Sequence, residues 1–149
     1  MNDLFGNEEI KALSWKEPFA TMMLYGKIET RTWHTNYRGL VLICASKVAY
    51  SLNAELNICG GEQHRRLLDV LCEHHLNLTD TYGMAIGIGY LFCCRPMAEF
   101  DEDKTFVQYN PDLFCHIYRD VKAIKPFAWK GKMGWKTLTE EQKALIITQ

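Results

Sequence analysis

Between Gly26 and Lys47 the sequence sets cations, one carboxylate and aromatic rings close together: Lys27, Glu29, Arg31 and Trp33, then Tyr37, Arg38 and Lys47. In an extended strand alternate residues share a face, so Glu29 and Arg31 project together while Ile28 and Thr30 project to the other side. Lys27, Arg31, Arg38 and Lys47 are the residue types that meet phosphate oxygens. Glu29 would orient those cations or accept hydrogen bonds from a base or ribose. On an open surface the same pair would be an ordinary ion pair worth about 0–1 kcal/mol. Trp15, Trp33, Tyr37, Trp129 and Trp135 offer faces on which bases stack. Packing is the ordinary fate of such rings, and Trp33 and Trp129 stand out because each adjoins cations.

These residues need elements to hold them. Pro18 to Gly26 has proline at a first helical position, glycine just past the end, and Phe19, Met22 and Met23 at helical spacing, which predicts a short capped helix. Ile28–Trp33 reads as a strand, with a turn near Asn36–Gly39 and a buried strand over Leu40–Ala45. Gly60-Gly61 precedes an amphipathic helix over Glu62–Leu76. Ala85–Cys94 reads as a strand whose glycines, Gly87 and Gly89, mark bending or close backbone approach. Phe114–Ile124 and Phe127–Trp129 supply further strands, and Thr139-Glu140-Glu141-Gln142 is a capping box that opens a terminal helix.

At 149 residues, with 48% hydrophobic and 23% charged residues, the chain suits one folded domain over 1–149. The formal charge of −1 gives no global argument for a polyanionic partner, so the case rests on placement. Glu99–Asp103 is acidic, whereas Lys122–Lys136 carries Lys122, Lys125, Lys130, Lys132 and Lys136 with no carboxylate, which reads either as a solvated face or as a binding edge. Met1–Lys11 has no apolar stretch of signal-peptide length and no later segment has membrane-helix length, so a cytoplasmic protein without membrane contact is expected. The six cysteines are expected as free thiols. Cys59, His64, Cys72, His74 and His75 lack the ordered spacing of a zinc site, so neither metal nor cofactor is expected.

Three blocks carry a resemblance: Ser14-Trp15-Lys16-Glu17-Pro18-Phe19-Ala20, then Gly26-Lys27-Ile28-Glu29-Thr30-Arg31-Thr32-Trp33, then Tyr37-Arg38-Gly39 running into Val41–Lys47. Together they resemble the opening of the ASCH (activating signal cointegrator homology) domain. Val121–Phe127 and Lys130-Gly131-Lys132-Met133-Gly134-Trp135 resemble its closing pattern, so the likeness spans about residues 12–138. It implies an α+β, PUA-like fold, a small curved β-barrel with flanking helices, and a cleft beside the first helix that takes RNA or a nucleotide, with DNA as the variant partner. Members of the family include RNA-binding domains, a ribonuclease and an amidohydrolase acting on a modified nucleoside; related folds read flipped, modified bases. As an enzyme, the chain would use Lys27 and Glu29 as the acid/base pair with Tyr90 or Tyr37 assisting. The amidohydrolase has threonine where this chain has Glu29, and a later-strand carboxylate where this chain has Tyr90, which argues against that activity.

Overall fold

The apolar run after Tyr37-Arg38 becomes β3 (Gly39–Ala45) and is buried on both faces. In the computed structural model, which describes residues 5–149, β3 lies inside a six-stranded mixed sheet curled into a half-barrel. Its neighbours are β1 (Ile10–Trp15), which runs parallel to it, and β4 (Met84–Pro96), which runs antiparallel. With β2 (Glu29–Arg31), β5 (Phe114–Ala128) and β6 (Lys136–Thr137), the order across the sheet is β2-β5-β4-β3-β1-β6. The α+β class follows as expected, and no helix of the described residues is long and apolar enough to cross a membrane.

Strand alternation divides the core in two. Leu13, Trp15, Val41, Ile43 and Leu91 pack on the inner side with Met22 and Met23, whereas Ile10, Ala12, Leu42, Cys44 and Ile88 pack on the outer side. The inner side is closed by α1 (Phe19–Met22), which continues into a 3-10 turn over Met23–Tyr25 and stops at Gly26, whose φ is 86°. The predicted glycine stop is present, whereas Pro18 falls at the N-cap, one place before the first helical residue. Glu17 anchors this helix from below: its buried carboxylate accepts the Thr21 N–H at 2.8 Å and the Thr21 hydroxyl at 2.6 Å, and also the Thr81 hydroxyl.

Two helices fill the β3–β4 connection, α2 (Leu52–Cys59) and α3 (Gly61–Glu73). Only the second is expected from periodicity. α4 (Glu102–Thr105) follows β4, and α5 (Glu140–Lys143) begins at the Thr139–Gln142 capping box. Instead of two separate strands, Phe114–Ala128 is one continuous strand; its outer half is flanked by the chain end, where Lys125 N–H donates to the Ile147 carbonyl at 2.7 Å. The cysteines are unpaired, as expected.

The β4 glycines mark where the sheet bends. Pairing with β5 slips between Ala85 and Gly87 and again between Ile88 and Tyr90. A methyl group on Gly87 would lie 2.6 Å from Leu24 Cδ2 and 3.1 Å from the Lys122 carbonyl oxygen. Gly87→Ala is therefore expected to lower unfolding stability by about 1–3 kcal/mol, the cost of overpacking a filled site. Chemical denaturation measures it, and an unchanged midpoint would show that the close approach is not needed.

Candidate functional site

The predicted face of β2 is real, and it is buried. Lys27 and Glu29 are only 4% and 6% exposed. Lys27 Nζ lies 3.1 Å from Glu29 Oε1, donates to the Ile28 carbonyl at 3.0 Å, and sits 4.9 Å from the centre of the Phe19 ring. Glu29 Oε1 also accepts the Thr30 N–H at 3.0 Å. Arg31 Nε stands 3.1 Å from Glu29 Oε2, off the hydrogen-bond line, so that contact is ionic. Burial pushes the Glu29 carboxyl up, but the charges of Lys27 and Arg31 and the hydrogen bonds from Lys27 and Thr30 outweigh it and hold the pKa below its ordinary value. A carboxylate so fully occupied is a holder of cations rather than a free base.

Arg31 is the hinge of the site. One amino group of its guanidinium donates to the Ser14 carbonyl of β1 at 3.0 Å, and the group lies 5.0 Å from the Trp15 ring centre and 5.9 Å from that of Trp33. Around it, three adjacent hollows open, and Arg31 and Tyr50 line all of them. The smallest, about 110 Å³, reaches Lys27 and Glu29. The largest, about 630 Å³, is lined by the cations Lys16, Arg31, Lys47, Lys130 and Lys132 and by no carboxylate. Its far wall is the 130–134 segment, which crosses close to β1: a methyl group on Gly131 would lie 2.6 Å from Ser14 Oγ. Met133 projects from this segment 98% exposed.

The sequence-derived residues divide. Arg31, Trp33 and Lys47 line the large hollow, and Lys27 and Glu29 lie beneath it. Trp33 is half-buried and fixed edge-to-face against His116 at 4.9 Å and Trp135 at 5.9 Å. Trp129 also lines the large hollow but is 7% exposed, with Phe127 at 6.3 Å and Lys136 Nζ 5.0 Å from its ring centre, so packing claims most of it. Lys27 is spent on Glu29 and is not a free phosphate contact. Arg38 lines none of these hollows: its guanidinium donates to the Thr35 and Tyr37 carbonyls at 2.9 and 2.8 Å and ties the turn before β3. Tyr37 stays with that turn, its hydroxyl donating to the Leu40 carbonyl at 2.7 Å and its ring 5.2 Å from Trp135.

Tyr90 is also away from the Lys27–Glu29 pair. Leu91, its neighbour on β4, takes the inward position, and the Tyr90 ring lies under Arg119 at 4.6 Å. An assisting catalytic role for Tyr90 therefore has no support in its position. Of the basic run, only Lys130 and Lys132 reach the cleft; Lys122 and Lys125 are exposed on β5, and Lys136 covers Trp129. Residues that sequence reasoning missed are Tyr50 and Lys16, whose ammonium lies 5.1 Å from the Tyr50 ring centre. Both sit in connecting segments, where no periodicity announces a role.

Under the cleft floor, His116 of β5 pairs opposite Glu29, and one ring nitrogen, Nε2, lies 2.9 Å from the Trp33 carbonyl. Its other nitrogen, Nδ1, is buried without a partner. Burial, reinforced by Arg31, holds the imidazole pKa below 6.5 against the pull of that carbonyl. In the 96–101 loop Asp101 accepts both amino groups of Arg95 at 2.7 and 2.8 Å, and the hydrogen bond from Arg95 leads in holding its pKa below 3.8.

All three groups bind protons less readily folded than unfolded, so each contributes stability above its ordinary value that is lost as pH falls. Loss is expected to begin near 6.5 through His116 and to steepen below 4.5 as Glu29, then Asp101, joins. Urea midpoints across that range measure it. His116→Gln should remove the first decline only, and a flat profile down to about pH 5 would contradict the assignment.

A scan against models of known protein families matches none, and no curated protein matches the chain, so the geometry of this cleft carries the functional argument.

Proposed function

We propose that the chain is a nucleic-acid-binding module of PUA-like, ASCH type that holds a single strand of RNA, or a nucleotide, in the cleft around Arg31. The observation that carries this reading is the large hollow lined by five cations and no carboxylate, in a chain whose net charge is −1. A cation cluster concentrated in one concavity matches a phosphate backbone, and Trp33 and Tyr50 beside it supply the aromatic surface that single strands use. The half-barrel with α1 closing its inner side accords with the fold that the motif resemblance implies. DNA is the rival polymer, distinguished by the same binding measurement.

A hydrolase acting on RNA or on a modified nucleoside is the second reading. It is favoured by one observation, the buried Lys27–Glu29 pair beside the cleft. Product analysis of the binding mixture separates the two: turnover by the wild type that is lost in a Glu29→Gln variant shown by melting to be folded would establish the enzyme, and bound but intact RNA the binding module.

The test of the first reading is fluorescence anisotropy on a labelled single-stranded RNA across a salt series. Each phosphate neutralised on a single strand lowers log K by about 0.7 per log unit of salt. Lys130→Gln/Lys132→Gln is therefore expected to reduce the slope by up to about 1.4 while the fold is retained, because both side chains are exposed. Binding indifferent to salt would sink the proposal.

A further inference from the structure

Across Arg31, Trp33 and Tyr50 from the lysines lies the third hollow, about 560 Å³, with a different chemistry. Among the described residues lining it, Arg31 is the only charged one. Its walls are α2, through Asn57 and Ile58, and the 107–113 segment, through Gln108, Tyr109 and Asn110. Resting on the nucleic-acid reading above, we infer that this hollow is a nucleobase subsite: an unpaired base of an RNA strand enters it while the adjoining phosphates lie in the lysine-lined hollow.

The amides carry the inference. Asn and Gln side chains present both donors and an acceptor, which is what the Watson–Crick edge of a splayed base requires. Within the described residues the side-chain amides of Asn57 and Gln108 make no hydrogen bond. Asn110 uses only its carbonyl oxygen, on the Asp112 N–H at 2.9 Å, which leaves its amino group free. Three amides thus line one concavity with amino groups that have no partner among the described residues.

The walls are fixed. The Gln108 N–H donates to the Ile58 carbonyl at 3.1 Å, tying the 107–113 segment to α2. The Gln108 side chain passes directly over Gly60, where a methyl group would lie 2.3 Å from its Nε2. Tyr109 is held by its N–H, which donates to Glu102 Oε2 at 2.7 Å. On the shared side, Trp33 and Tyr50 are each pinned edge-to-face, by His116 and by Phe19. Burial, and then the charge of Glu29, raises the Tyr50 phenol, so it remains a donor at neutral pH. The volume falls within the range of about 300–1,000 Å³ usual for small-molecule sites, ample for one base. A nucleotide is anionic at one end and uncharged, aromatic and amide-like at the other. The two hollows repeat that asymmetry on either side of Arg31.

The experiment compares a short single-stranded RNA with an abasic oligonucleotide of equal length by anisotropy over a salt series, using the full chain. Both should show the same salt slope, with the RNA bound at least about fivefold more tightly. In Asn57→Ala/Gln108→Ala, both positions being exposed, differences in affinity among homopolymeric oligonucleotides should shrink to within about twofold while the salt slope is kept. Thermal melting of the variant checks that it is folded. Equal binding of abasic and base-bearing strands would overturn the base subsite and leave the phosphate cleft standing. A base ranking unchanged in the double variant would also overturn it. Absence of binding by either strand would remove both readings together.

Discussion

Replacing Glu29 with alanine is expected to cost about 3–5 kcal/mol of unfolding free energy, because it leaves the Lys27 ammonium buried without its counter-ion. Lys27 would keep only the Ile28 carbonyl and the face of Phe19, neither of which carries charge. Against a total stability of about 5–15 kcal/mol for an ordinary domain, that loss threatens folding itself. Lys27→Met should be milder, since Glu29 keeps the Thr30 N–H and the Arg31 charge. In Lys27→Met/Glu29→Gln both formal charges leave together, and stability should exceed that of Glu29→Ala. Urea denaturation at neutral pH gives the ranking. A Glu29→Ala midpoint equal to wild type would mean that Lys27 reaches water, contrary to its burial.

The second large effect concerns binding. Arg31→Met removes the one cation that borders all three hollows, and RNA affinity is expected to fall at least about tenfold, the scale of one lost charge-assisted hydrogen bond of about 1.5–3 kcal/mol. Arg31→Lys should recover little of this. An ammonium cannot face Glu29 and Ser14 together while keeping contact with the rings of Trp15 and Trp33. Anisotropy at fixed salt measures both variants, with melting curves to separate binding from folding. Wild-type affinity in Arg31→Lys would reduce Arg31 to a generic positive charge.

How much of this was legible in the sequence follows from which forces act locally. β3 could be read because a strand buried on both faces must be apolar throughout. The grouping of Glu29 with Arg31 followed from strand parity, a constraint that needs no knowledge of neighbours. The degree of burial did not, because the hollow around Lys27 and Glu29 is walled in part by Ile58 and Val107, distant in sequence. β1 escaped notice since its six residues acquire strand character by pairing with β3, thirty positions along. α2 escaped because Leu52 and Leu56 face outward, so its apolar residues do not trace a core-facing stripe. Arg38 and Tyr90 have the residue types of a binding site, yet a turn claims one and strand alternation turns the other outward. The amide at Asn57 lies about fifty residues from those at Gln108 and Asn110, and only the fold brings the two segments together.

The Arg31 contact to the Ser14 carbonyl has a consequence for motion. β2 ends the sheet on one side, and β1 and β6 end it on the other, so this donor spans the seam where the half-barrel fails to close, together with the Trp33–Trp135 ring contact. A seam spanned only by side chains opens without breaking a backbone ladder, whereas parting β3 from β4 would break one. β2, joined to the sheet through three residue pairs with β5, belongs to the easily opened end of the molecule's range of local stabilities, and the cleft lies along that seam. An occupant bridging Arg31 and the 130–134 segment would complete the circumference, so ligand capture and slowed amide exchange along β2 would be one event seen by two methods.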